Sequence, residues 1–170
     1  EWAKRANGGS EDAARDFIGK LFGNVPVLDT GGRGATTTFA QRGIGDVLLT
    51  FENEVSLIVE ELGSGQFGVV IPSLTARAHN PVAVVDKVAG KKGTAKLAKA
   101  YLEFHYSDRA QEIFANNHIR PENNDVLRKH AQDFPALNTF DVAQAFGGWP
   151  QAQAKHFADG GIFDQIYLKK

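Results

Sequence analysis

The sequence predicts an α/β fold with a largely parallel sheet, followed by a mainly helical C-terminal part, and three observations carry that expectation. From Ser10 to Ile71, short apolar runs alternate with amphipathic stretches, the order that builds strand–helix–strand units. The runs are bounded by Gly, Asn, Asp or Pro, the residues that loops between such elements use. Beyond Thr94, apolar residues recur at helical spacing almost to the end of the chain.

Ser10–Phe22 reads as a helix. Ser10 suits the N-cap, Glu11 and Asp12 suit the positive end of the helix dipole, and Phe17, Ile18, Leu21 and Phe22 share one face before Gly23-Asn24 stops it. Val25–Leu28 is an apolar run of strand length. It leads through Asp29-Thr30-Gly31-Gly32-Arg33-Gly34 into a short helix over Ala35–Gln41, closed near Gly43. Asp46–Phe51 is a second strand, feeding a helix from about Glu52 to Leu62, and Phe67–Ile71 is a third, ended by Pro72. Ser73–Pro81 is polar and irregular and is the expected domain boundary, after which Val82–Val85 adds a fourth strand. Helices are then expected over Thr94–Tyr106, with Leu97, Ala100, Tyr101 and Phe104 at helical spacing, and over Arg109–Asn117, Glu122–His130 and Trp149–Phe157. These strands are few for so many helices, because an average sheet has roughly five or six. A start at Glu1-Trp2-Ala3 and the absence of methionine add to the expectation of a processed or truncated chain.

The 170 residues are 42% hydrophobic and carry a formal charge of −1, which by length alone suits one domain and gives no general attraction to nucleic acid or anionic membranes. A chain of this charge that captures a small dianion needs local donors. Cysteine is absent, so disulfides, thiolate chemistry and cysteine-ligated metal are excluded. No apolar run approaches the ~18 residues of a membrane span, and no signal-peptide pattern is present. The five histidines include no pair three or four apart, and no serine lies in a G-x-S-x-G elbow, so neither a metal centre nor nucleophilic hydrolysis is expected.

The glycine-rich turn carries chemistry. Glycines permit positive φ and a close approach of backbone to ligand. The first N–H groups of the following helix have no internal partner and carry the positive end of its dipole. Thr36, Thr37 and Thr38 add hydroxyls nearby. The same pattern also describes a plain strand-to-helix turn. G-x-G-x-x-G fails at its last glycine and no P-loop lysine follows, so a dinucleotide or nucleoside triphosphate is disfavoured. Arg33 is suited to a bound oxyanion or to a neighbouring carboxylate. Phe51-Glu52-Asn53-Glu54 closes a strand and opens a helix, where ligand contacts often lie in open α/β sheets, although Phe51 reads equally as core. Trp149, Phe146 and Phe157 read as packing residues, and Lys91-Lys92 and Lys169-Lys170 as solvated charge.

Val27-Leu28-Asp29-Thr30-Gly31-Gly32-Arg33-Gly34-Ala35-Thr36-Thr37-Thr38-Phe39 and Arg42-Gly43-Ile44-Gly45-Asp46-Val47-Leu48 resemble the periplasmic sulfate- and thiosulfate-binding proteins. The likeness continues through Phe51-Glu52-Asn53-Glu54 and Pro81–Lys87 to Phe146-Gly147-Gly148-Trp149 and His156–Tyr167. The resemblance covers nearly the whole chain, but only about the second half of such receptors. It implies a type II periplasmic-binding-protein fold whose lobes are three-layer α/β units, with residues 1–73 in the second lobe. Residues 74–81 would form the hinge or crossover, and 82–170 the mainly helical C-terminal part of the first lobe.

By the same resemblance, the function is that of the solute-binding component of an ABC importer, not an enzyme. It would bind sulfate or thiosulfate in the periplasm and deliver it to a membrane permease, without cofactor, metal or nucleic acid. The N-terminal half of the same protein would supply the remaining contacts. The implied ligand-binding residues are Gly32, whose N–H is the matching donor, its neighbours Thr30, Gly31, Arg33 and Gly34, and Phe51. Phe51 stands where sulfate-type relatives carry a donating tryptophan, whereas thiosulfate-type relatives carry F-E-x-E. Asn53 and Phe163–Tyr167 look more sulfate-type. Alternatives are a receptor for phosphate or molybdate, or an enzyme acting on a phosphorylated small molecule, for which Asp29 and Glu52 are the available acids.

Overall fold

The computed structural model describes residues 9–63 and 65–167. The expectations placed on Glu1–Ala3 and Lys169-Lys170 lie outside them. In chain order the helices are α1 (Glu11–Gly23), α2 (Gly32–Thr36), α3 (Glu52–Leu62), α4 (Asp86–Lys91), α5 (Ala95–Phe104), α6 (Asp108–Asn116), α7 (Asn124–Lys129), α8 (Val142–Phe146), α9 (Trp149–Ala152) and α10 (Ile162–Tyr167). Two π-helical turns, Thr37–Gln41 and Gln153–Phe157, continue α2 and α9, and the strands are β1 (Thr75–Ala76) and β2 (Thr139–Phe140).

Helix starts follow local chemistry. Ser10 Oγ accepts the Ala13 N–H at 3.0 Å and so caps α1, with Glu11 and Asp12 in its first turn. Ser107 caps α6 through the Ala110 N–H, and Asn123 caps α7 through the N–H groups of Asp125 and Val126. α3 carries Glu52 and Glu54 in its first turn and stops at Gly63, whose φ of +89° few other residues would adopt.

The chain divides into two compact units. The first takes the described residues up to Leu48, then Val70–Ala78, and the chain from Leu137 onward. Within it β1 and β2 run parallel, with Thr75 opposite Thr139 and Ala76 opposite Phe140. An aromatic layer joins α1 to α10: the Phe22 ring meets Phe163 edge-on at 5.4 Å, and Phe163 stacks on Tyr167 at 5.4 Å. Phe157 extends the layer at 6.3 Å from Phe163, and His156 stands edge-on to Phe146 at 5.6 Å.

The second unit comprises Leu49–Val69 and His79–Ala136. Its core gathers Ala115, Val126 and Phe134, with Leu127 packed against them. Gln111 is buried beside this core with both ends of its amide engaged. It donates to the His105 carbonyl at 2.7 Å and accepts the N–H groups of Glu122 at 2.7 Å and Asn123 at 3.0 Å. Glu112 holds Lys129 at 2.7 Å and His130 at 2.9 Å; these hydrogen bonds, the lysine's first, lower its carboxyl below the usual range.

The parallel sense of the sheet is as expected, but its extent is not. Val25–Leu28, Asp46–Phe51, Phe67–Ile71 and Val82–Val85 form no ladder among the described residues. A buried parallel strand needs neighbours on both edges and helices on both faces. Here the runs instead reach solvent, as at Val47, 79% exposed, and Val70, 87% exposed. The expected helix at Trp149–Phe157 forms as α9 plus a π turn, with Trp149 65% exposed instead of packed.

Candidate functional site

Thr30–Gly34 are brought together on one turn of the first unit. Gly31 is the N-cap of α2, with extended backbone at φ −171° and ψ 164°, so α2 starts at Gly32, three residues before the expected Ala35. The first backbone bond of the helix runs from the Ala35 N–H to the Gly31 carbonyl at 3.1 Å. The N–H groups of Gly32 and Gly34 precede it and are outside the helical ladder. The N-cap forms no side-chain hydrogen bond, and no acidic residue lies in the first turn. Gly31, Arg33 and Thr30 are exposed and Gly32 is half-buried. Backbone donors at such a helix start suit a small anion.

The glycines do not adopt the positive φ expected of them. None of Gly31, Gly32 and Gly34 has positive φ. A methyl group on Gly31 would meet nothing within 4 Å, whereas one on Gly34 would lie 3.3 Å from Asp29 Oδ1 and 3.4 Å from Asp29 Cβ. At Gly34, unlike Gly31, close packing by the Asp29 side chain therefore favours glycine. No sequence signal short of the folded turn shows this.

The threonines also depart from expectation. The Thr37 hydroxyl donates back to the Arg33 carbonyl at 3.1 Å, and Thr36 and Thr38 are buried. β-branched hydroxyl residues inside a helix commonly take such i−4 bonds. Behind them, the bond from the Arg42 N–H to the Thr37 carbonyl, five residues apart, gives the π register.

Phe51 lies in the second unit. It is the N-cap of α3, and its carbonyl accepts the N–H groups of Glu54 at 3.1 Å and Val55 at 3.3 Å. Its ring is not core: the residue is 58% exposed. Beside it the Thr50 hydroxyl oxygen is buried with no hydrogen-bond partner among the described residues. Glu52 is bound in a two-point fork by Arg120, Nε at 2.9 Å and Nη2 at 2.6 Å. The same guanidinium donates to the Pro135 carbonyl at 2.9 Å and lies 5.2 Å from the Phe134 ring centroid. Sequence reading missed Arg120, because nothing local marks a pairing between residues so far apart in the chain.

A cleft of about 810 Å³ opens in the first unit, lined by Arg15, Ile18, Phe146, Lys155, His156 and Ile166 among others. None of the expected ligand residues lines it. At its wall, burial and then the charge of Lys155 lower the His156 pKa, which favours the neutral ring. Lys155 pairs with Glu11 at 2.7 Å.

Residues 3–120 match the family described as bacterial extracellular solute-binding protein. Among curated relatives, the thiosulfate-binding protein of Pseudomonas aeruginosa is 57% identical over 161 residues, 95% of this chain and 48% of its own length. The sulfate-binding protein of Escherichia coli is 48% identical over 165 residues, 97% of this chain and 50% of its own. The thiosulfate-binding protein of Escherichia coli is 44% identical over 164 residues, 96% of this chain and 48% of its own. The chain thus spans about half the length of these relatives. With a match of that reach, the chain belongs to the family of bacterial extracellular solute-binding proteins.

Proposed function

We propose that the chain is part of a periplasmic solute receptor that binds sulfate or thiosulfate and delivers it to the membrane permease of an ABC importer. The start of α2 at Gly32, behind an N-cap glycine that brings no side-chain acceptor of its own, is the structural observation that carries the reading. The names of the relatives favour these two anions over phosphate or molybdate. Gly32 supplies the principal N–H donor, with Thr30, Gly31, Arg33 and Gly34 shaping the turn. Hydrogen bonds to a charged partner are worth about 1.5–3 kcal/mol each. Neutral donors hold a fully ionised dianion without any proton transfer, and the reading is of a binder, not an enzyme. In keeping with that, Glu52, one of the acids an enzyme would need, is engaged by Arg120.

The finer architecture belongs to the same proposal: a type II receptor with 1–73 in its second lobe, 74–81 as hinge and 82–170 completing the first. Its N-terminal half would furnish the rest of the shell. Phe51 contributes an apolar wall that suits the terminal sulfur of thiosulfate as well as an oxygen. Calorimetry on the complete gene product with sulfate, thiosulfate, phosphate and molybdate tests the reading. Tight binding of either sulfur oxyanion is expected, and binding of neither sinks it. Phe51→Trp adds a donor and should shift the affinity ratio toward sulfate by about tenfold; an unchanged ratio removes Phe51 from the site.

A further inference from the structure

The start of α3 at Phe51 carries a charge problem that the second unit solves. Glu52 is the next residue, about 3.8 Å along the backbone. Its carboxylate is therefore one of the charges carried at this helix start. A bare carboxylate there would repel a dianion, and the net charge of −1 offers no compensating long-range attraction.

Arg120 meets that carboxylate with both arms of its fork, at 2.6 and 2.9 Å. The guanidinium is itself fixed by the Pro135 carbonyl and the Phe134 ring, so it cannot swing away without losing contacts on two other sides. A planar fork held at three points is a device that lysine does not reproduce. His118 bonds α3 from the same loop near its other end, Nε2 to Glu60 Oε2 at 3.3 Å; its left-handed φ of 61° belongs to the C-terminal cap of α6, where the Ile119 N–H meets the Phe114 carbonyl. The loop from His118 to Arg120 thus runs along α3 and grips both ends of its acidic face.

We propose that Arg120 is a positioning and charge-shielding residue for anion recognition: it neutralises Glu52 and fixes the start of α3 that carries Phe51. The inference rests on the reading of Phe51 as a ligand contact. It predicts effects of opposite sign from the two members of one ion pair. Arg120→Met exposes the carboxylate and should weaken sulfate and thiosulfate binding at least tenfold, more at low than at high salt. Glu52→Gln keeps an acceptor for Arg120 but leaves its positive charge uncancelled, and should tighten both anions severalfold with a steeper salt dependence. The double variant should return to within about threefold of the parent. Arg120→Lys, a charge without the fork, should fall between the parent and Arg120→Met.

The measurement is titration calorimetry on the complete gene product at two salt concentrations, with thermal melts on each variant. A purely structural pair would weaken binding in both single variants, or lower the melting temperature while leaving affinity unmoved; either result overturns the proposal. If Arg120→Met does not fold, the sign of the Glu52→Gln effect decides alone. A parent that binds neither anion defeats the functional reading itself, an outcome distinct from a parent that binds while the variants fail to diverge.

Discussion

At position 34 the cost of a side chain is set by one neighbour. A methyl group there would press Asp29 at 3.3–3.4 Å, closer than ordinary contact, so the aspartate must yield by a few tenths of an ångström. Against that stands the gain of about 1 kcal/mol that alanine has over glycine inside a helix. Gly34→Ala should therefore be near neutral or destabilising alone, and stabilising when combined with Asp29→Ala. Urea unfolding of the two single variants and the double checks the coupling, which should reach at least ~0.5 kcal/mol. Gly31→Ala meets open space and an extended backbone, and should leave the fold intact. Sequence reading found the turn because three glycines in four residues are conspicuous. Which glycine packing favours was not legible, because that depends on where the Asp29 side chain comes to rest.

Among the elements, the ones with local causes were readable. The Ser10 cap and the acidic first turn place α1 within a residue of its observed bounds, and α3 runs from Glu52 to Leu62 as the spacing predicts. Strands have no local cause of comparable strength. Val25–Leu28 and Phe67–Ile71 have strand composition, but a ladder exists only where a partner is supplied, and none of the described residues supplies one. The π turns were equally invisible, since the extra residue in each leaves no mark on a pattern of apolar spacing. The helix α10, quoted for its likeness but not read as a helix, packs through Phe163 and Tyr167 onto α1. In the second unit, α6 and the start of α7 are joined through Gln111. Gln111→Leu removes the acceptor of two backbone N–H groups and the donor to His105, and should cost about 2–4 kcal/mol. Gln111→Glu retains the acceptor and should cost less, as denaturant midpoints would show.

For the molecule as a whole, stability should depend on pH through His156. Burial, then Lys155, depresses its pKa in the folded chain, so the unfolded chain binds the proton more readily. Its contribution is full above about pH 6.5, the unfolded value, and is lost as pH falls through the depressed folded value. Thermal melts between pH 5 and 8 should show a fall on the acid side that His156→Gln reduces; equal slopes would contradict it. Glu112 acts in a lower window: its depressed carboxyl loses its contribution only below about pH 4.3, as the pH falls toward the folded value.

The parallel pair Thr75–Ala76 and Thr139–Phe140 has a consequence for the order of folding. Around it the Thr75 N–H bonds Asn138, the Arg77 N–H bonds Phe140 and the Asn138 amide donates to the Ser73 carbonyl, each worth about 1 kcal/mol net. Closing a loop as long as the one between them costs on the order of 4 kcal/mol in chain entropy. The pair cannot nucleate its own closure. The ladder therefore closes where other contacts have already brought these two chain segments near each other.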